Sequence, residues 1–172
     1  MSGKTDGSYT DQDEQWMRQA LALAQRAGET AEVPVGAVVV LNQQIIGSGH
    51  NHPIGQCDPT AHAEIMAIRQ ACQREKNYRI PGATLYVTIE PCAMCAGAIV
   101  QARIDRVVYG ALEPKAGAIV SAQHFFEQPF LNHKVSAVGG CLAESCSVLM
   151  SAFFAQRRAF KKRLKLNRPL EP

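Results

Sequence analysis

Aromatic side chains are scarce in this chain: one Trp, four Tyr and six Phe among 172 residues, 6% of the total against 47% hydrophobic residues. A core must be filled mostly by Ala, Val, Leu and Ile. A chain of this length forms one domain that buries about two-thirds of its unfolded surface. No apolar run approaches the roughly 20 residues of a membrane-spanning helix, so no membrane partner is expected. The N-terminus is acidic and does not read as a secretory signal, which makes the cytoplasm the expected location. Internal repeats and long linkers are missing as well, which excludes repeat arrays. Disulfides are not expected in a cytosolic setting, and Cys57, Cys72, Cys141 and Cys146 read as small apolar residues.

The net charge of +3 is unevenly placed. Residues 1–15 hold one Lys against four acidic residues, and residues 16–154 balance at ten of each sign. Residues 155–172 hold Arg157, Arg158, Lys161, Lys162, Arg163, Lys165 and Arg168 against Glu171 alone. Cations favour a helix C-terminus, but seven in twelve residues exceed that need and point to a polyanion partner.

Two short motifs carry the chemistry, His62-Ala63-Glu64 and Pro91-Cys92-Ala93-Met94-Cys95. One imidazole and two thiols are three zinc ligands, one short of a tetrahedral set, and an open fourth position separates catalytic zinc from structural zinc. Glu64 adds a proton carrier at the metal's edge. Together the motifs match the H-x-E…P-C-x-x-C signature of zinc-dependent nucleobase deaminases. Cys92 and Cys95, three apart, share one helix face. Pro91 suits a helix start, whose positive end should lower both thiol pKa values. His62 and Glu64, two apart, would point to nearly opposite sides of an ideal helix. The motif therefore works only if His62 sits where the backbone enters the helix, and Asp58-Pro59-Thr60 is a credible entry. A rival arrangement adds Cys57 to the three ligands as a closed, structural Cys₃His site, which would leave Glu64 without a role.

Periodicity predicts an opening helix over Gln12 to Gly28 after a polar, disordered segment 1–10. A hairpin follows, Val35 to Leu41 and Gln44 to Ser48 around Asn42-Gln43, then a polar loop from His50 to Pro59 and a helix over Ala63 to Arg74. Strands are predicted at Thr84 to Ile89, Ile104 to Tyr109 and Val135 to Val138, with a loop from Gly110 to Gly117. A long terminal helix runs from Leu142 to Leu166 and carries the basic cluster. Strands alternating with helices indicate a single α/β domain over 11–172, with helices on both faces of one sheet.

From about Trp16 to Arg158 the sequence resembles the bacterial tRNA-specific adenosine deaminases. The resemblance rests on Glu32-Val33-Pro34-Val35-Gly36-Ala37-Val38, on Asp58 through Ala67, on Ala83 through Thr88 and on Glu90 through Ala98, with Phe153-Phe154 and Arg157-Arg158 near the end. It implies a three-layer cytidine-deaminase-like fold with a five-stranded mixed sheet, a homodimer, one zinc per subunit, no nucleotide cofactor and a tRNA anticodon stem-loop as substrate. It also implies that His62, Cys92 and Cys95 bind zinc, that Glu64 shuttles protons, that Asn51 contacts the flipped base and that the Ala63 backbone faces the purine. Glu113 stands where relatives often carry aspartate, a methylene longer for its contact with the RNA backbone.

Deamination asks Glu64 to take a proton from water, to protonate purine N1 and to carry a proton to the departing amino group. Arg157, Arg158, Lys161 and Lys162 are the phosphate candidates, with Lys115 a weaker one. Adjacent helical residues point about 100° apart, so of Phe153 and Phe154 one belongs in the core, and Phe154 is the candidate to stack on a base. The rival functions are a free guanine or cytosine deaminase, a non-catalytic zinc-containing RNA-binding subunit, and a redox protein built on Cys92 and Cys95. The last leaves His62 and Glu64 idle.

Overall fold

The computed structural model describes residues 8–166. The helix α1 (Asp11–Glu29) precedes the strands β1 (Gly36–Leu41) and β2 (Gln44–His50). A one-turn helix α2 (Pro53–Gln56) and the longer α3 (Ala63–Glu75) lead to β3 (Thr84–Ile89), α4 (Ala93–Gln101) and β4 (Arg106–Ala111). The last described strand and α-helix are β5 (Ser136–Val138) and α5 (Ala143–Leu166). The five strands form one mixed sheet in the order β2-β1-β3-β4-β5, with β1 antiparallel to β2 and β3, and β3, β4 and β5 parallel. This is the expected α/β fold with its five-stranded sheet.

Strand alternation builds the two cores. Ala37, Val39, Leu85, Val87, Val107 and Tyr109 point to one face and pack with Ala63, Ala67 and Ile68 of α3 and Ala96 and Ile99 of α4. Val38, Val40, Tyr86 and Val108 point to the other and meet Met17 and Ala20 of α1 and Cys146 of α5. Helices therefore cover both faces. The turn between β1 and β2 holds Asn42 and Gln43 at positive φ (50° and 62°), the twist that a two-residue hairpin requires. On β2, a Cβ at Gly47 or Gly49 would collide with the α3 backbone. Glycine at these positions lets α3 lie directly on the sheet, and this fixes where its first turn, with the metal motif, is held.

Two expectations shift. The segment predicted to be disordered, 1–10, falls mostly outside the described residues, but Thr10 is ordered. Its side chain accepts the Asp13 N–H at 3.2 Å while its own N–H donates to Asp13 Oδ2 at 2.8 Å, a capping box. The polar loop from His50 to Pro59 contains the α2 turn, begun by Pro53 and ended by Cys57 in the left-handed region.

Asp13 also ties α1 to the sheet. It is buried and accepts from both Arg106 guanidinium nitrogens (2.7 and 2.9 Å) and from the Tyr86 hydroxyl at 2.8 Å. Burial alone would raise its carboxyl, but Arg106, Thr10 and Tyr86 outweigh it and hold the pKa well below the usual carboxylate range. A depressed folded-state pKa gives stability that is present above the unfolded value of about 3.9 and is lost as pH falls towards the depressed one. Asp13→Ala leaves Arg106 and Tyr86 unpaired, and should cost about 3–5 kcal/mol. The variant's thermal unfolding should also lose much of the wild type's decline between roughly pH 5 and 2.

Candidate metal centre

His62 is the N-cap of α3, extended at φ −77° and ψ 152°, and Glu64 stands in that helix's first turn. The bend at the cap lets two residues only two apart face one point, as the motif requires. Cys92 is likewise the N-cap of α4, at φ −77° and ψ 172°, with Cys95 one turn inside. Thus the two thiols share a point because one caps the helix that carries the other, not because both lie on its face. The two helix starts meet. Cys92 Sγ and Cys95 Sγ lie 3.7 and 3.6 Å from His62 Nδ1. The three donor atoms form the one metal-competent cluster among the described residues.

These separations fit zinc. Tetrahedral bonds of about 2.3 Å to sulfur and 2.0–2.1 Å to nitrogen put sulfur and nitrogen about 3.6 Å apart. The protonation pattern fits too. The Cys95 thiol donates to Cys92 and holds it, against burial, at about 4, while His62 also favours its thiolate. Cys95 is pushed up by that thiolate and by burial. Two sulfurs this close share one proton, and a divalent cation is what permits both to ionise. Cys57 is exposed, with its thiol against the Ile54 carbonyl at 3.7 Å, outside the cluster, so the closed Cys₃His arrangement is not formed.

Glu64 is 3% exposed. Burial, reinforced by the Cys92 thiolate, raises its carboxyl to about 7 against the opposing pull of its own amide, His62 and the Cys95 thiol. Contact with Cys95 places it beside the metal ligands. Asn51 is almost wholly buried, and its Oδ1 accepts the Ala63 N–H at 2.9 Å. This bond ties the start of α3 to Asn51, and the Ala63 carbonyl lies against Gly49. Behind Asn51, Glu32 accepts the Gly55 N–H at 2.8 Å and lies 3.6 Å from His52 Nδ1, holding the α2 turn.

On the other side of the centre, the segment after β4 joins the cysteine motif directly. Cys92 pairs with Gly117 as an isolated β-bridge, and the Ala118 N–H donates to the Pro91 carbonyl at 2.8 Å. Glu113 is half-buried and accepts the Lys115 N–H at 3.0 Å, and Lys115 is exposed. Glu90, to which neither metal motif assigns a role, is buried against this segment. Its signal was an acidic residue inside the apolar frame Ile89-Glu90-Pro91.

The remaining site candidates sit on α5. Phe153 is buried and Phe154 is 41% exposed, as their angular offset demands. The Arg157 guanidinium lies 5.7 Å from the Phe153 ring centre. Every described residue from Phe154 to Lys165 is exposed, Arg157, Arg158, Lys161 and Lys162 included. The last turns of α5 are thus a basic arm with apolar Phe160 and Leu164 exposed among the cations. Arg168 lies outside the described residues.

Residues 10–111 match the family described as the cytidine and deoxycytidylate deaminase zinc-binding region. The chain is 52% identical over 151 residues to a Haemophilus influenzae tRNA-specific adenosine deaminase, covering 87% of each chain. It is 43% identical to the Bacillus subtilis protein of that name, covering 91% of this chain and 97% of the other. A solved structure from a study of A-to-I editing by tRNA:A34 deaminases superposes with a TM-score of 0.77 at 46% identity. The match covers 78% of this chain and 98% of that one. A guanine deaminase from Nitrosomonas europaea superposes with a TM-score of 0.69 at 21% identity over 83% of this chain and 84% of that one, a likeness of fold alone.

Proposed function

The chain belongs to the tRNA-specific adenosine deaminases, and on that basis we propose that it hydrolyses the wobble adenosine of a tRNA anticodon to inosine and ammonia. The observation that carries the chemistry is the convergence of His62, Cys92 and Cys95 beside buried Glu64. Zinc held by the His62 Nδ1 and the two sulfurs would lower the pKa of water from about 15.7 towards roughly 7 and so supply hydroxide at neutral pH. Glu64, buried beside the ligands with its carboxyl pushed upward by that burial, is placed both to accept and to return a proton. It would pass the proton taken from water to purine N1 and, once the hydroxide oxygen has bonded to C6, carry that oxygen's remaining proton to the amino group, which leaves as ammonia as the C6–N bond breaks. Asn51, fixed through Ala63 to the start of α3, would offer its Nδ2 to the flipped base.

A base leaves its stack at least cost in a loop, and the anticodon is one. Its backbone would run along Arg157, Arg158, Lys161 and Lys162 of the α5 arm, with Phe154 stacking on a base and Glu113 and Lys115 meeting RNA beside the zinc. The exposed side of α4 (Ala93, Met94, Gln101) is available for a second subunit, and we assign the chain as a homodimer with one zinc in each. No helix among the described residues is long and apolar enough to cross a membrane.

The test is inosine formation by zinc-loaded protein in an anticodon stem-loop with adenosine at the wobble position, alongside free adenosine, cytosine and guanine. Conversion at the wobble position alone is the expected result. Turnover of a free base with an inert stem-loop would replace the substrate while keeping the zinc chemistry. Arg157→Ala with Arg158→Ala should weaken stem-loop binding and flatten the slope of log affinity against log salt by about 1.4. An unchanged slope would remove these arginines from the RNA.

A further inference from the structure

Glu90 is 2% exposed, and its carboxylate is spent entirely on one short segment. Oε1 accepts the backbone N–H groups of Ile119 (3.0 Å), Val120 (2.8 Å) and Ser121 (3.0 Å). Oε2 accepts the Glu113 N–H at 3.1 Å and the Ser121 hydroxyl. Burial alone would raise this carboxyl, but the Ser121 hydroxyl and the amides outweigh it and hold it low. Gly117 stands where a Cβ would strike the carboxylate. The Glu90 N–H donates to the Ala111 carbonyl at 2.8 Å, so strand and segment are joined at both ends.

We propose that Glu90 is a positioning residue that fixes the Glu113–Ser121 segment as a wall of the zinc pocket and thereby sets RNA affinity. The inference rests on the substrate reading above. Glu113 and Lys115 have no anchor in either core. Their place follows from the Glu113 amide on Glu90, from the Lys115 amide on Glu113 and from the Gly117 amide on the Glu113 carbonyl at 2.8 Å. The anchor is specific to an anion. Four of the five donors are backbone N–H groups that cannot reverse, so an amide side chain turns its NH₂ against at least one of them. With its oxygen towards the three amides of Ile119, Val120 and Ser121, Gln at this position keeps that end and releases Glu113, because the Ser121 hydroxyl can reverse but the Glu113 amide cannot.

Glu90→Gln therefore isolates the arm that holds Glu113 and Lys115. In zinc-replete protein, KM for the stem-loop should rise about tenfold with kcat within about threefold of wild type. Hydrogen exchange should accelerate at the amides from Glu113 to Gly117, and zinc should stay at one per subunit. Ser121→Ala, which removes a single hydroxyl and no backbone donor, should leave KM within about twofold. An unchanged KM, or unchanged exchange across the segment, would overturn the proposal. Zinc loss in proportion to the activity lost would overturn it too, by making Glu90 a support of the metal motif. A wild-type protein inert on the stem-loop is a failure of the substrate reading, seen before any variant is made, and the exchange comparison then decides the positioning role alone.

Discussion

Glu64→Gln should retain one zinc per subunit and the wild-type fold, yet lose at least about 10³-fold in kcat on the anticodon stem-loop. A single positioned acid or base contributes typically 10²–10⁴-fold. Here one carboxylate serves successive transfers, to N1 and to the departing amino group, so its loss should fall in the upper part of that range. Glu64 is well suited to such work. It stands in the first turn of α3, beside the ligands, where burial pushes its carboxyl upward. Glutamine preserves shape and burial while removing the proton chemistry, so misfolding is not a confounder. Glu64→Ala should be as inactive. Metal analysis and kcat measured on the same sample decide the matter, and near-normal turnover by a zinc-replete variant would end the proton-shuttle role.

Much of this arrangement was legible because it follows local rules. The His62 motif demanded a residue at a helix entry, and His62 is the N-cap of α3. The adjacent Phe153 and Phe154 had to diverge, and one is core while the other faces solvent. The hairpin turn at Asn42-Gln43 and the β-branched run of β1 were equally local. Ala96, Ile99 and Val100, spaced along one short apolar helix, are buried, and Ala98 is half-buried. What escaped depends on contacts distant in sequence. Nothing near Glu90 announces that its oxygens are satisfied some thirty positions later. Nothing near Asp13 names Arg106, ninety-three residues on. One miss was local: Thr10 and Asp13 have the spacing of a capping box, and the acidic, polar run around them reads as disorder when only composition is weighed. The two thiols offer a subtler lesson. A helix start favours a thiolate, but with no cation between them the Cys92 thiolate pushes the Cys95 thiol up, and that pairing is visible only in the fold.

Removing zinc with a chelator should abolish deamination, leaving less than about 1% of the activity, and added zinc should restore it. The fold should survive. The α3 helix is seated by Ala63, Ala67 and Ala71 on the glycines of β2, and α4 by Ala96 and Ile99 in the same core, so neither helix relies on the ion for its place. Loss of a tightly bound ligand nonetheless withdraws its linkage free energy. For about 4 kcal/mol in a domain of this size the melting temperature should drop by roughly 10 °C. Circular dichroism with zinc and without it should therefore nearly superimpose at 25 °C, while thermal unfolding shifts. Unfolding on chelation would make the metal the frame of the domain rather than its reagent. The ligand set can be read in the same experiment. Cys92→Ser and Cys95→Ser each strip a three-ligand site to two and should lose the metal, while Cys57→Ser, which alters a thiol outside the cluster, should keep one zinc per subunit. Zinc loss from the Cys57 variant would reinstate a fourth protein ligand and close the position that water must occupy, an arrangement incompatible with catalysis by Glu64.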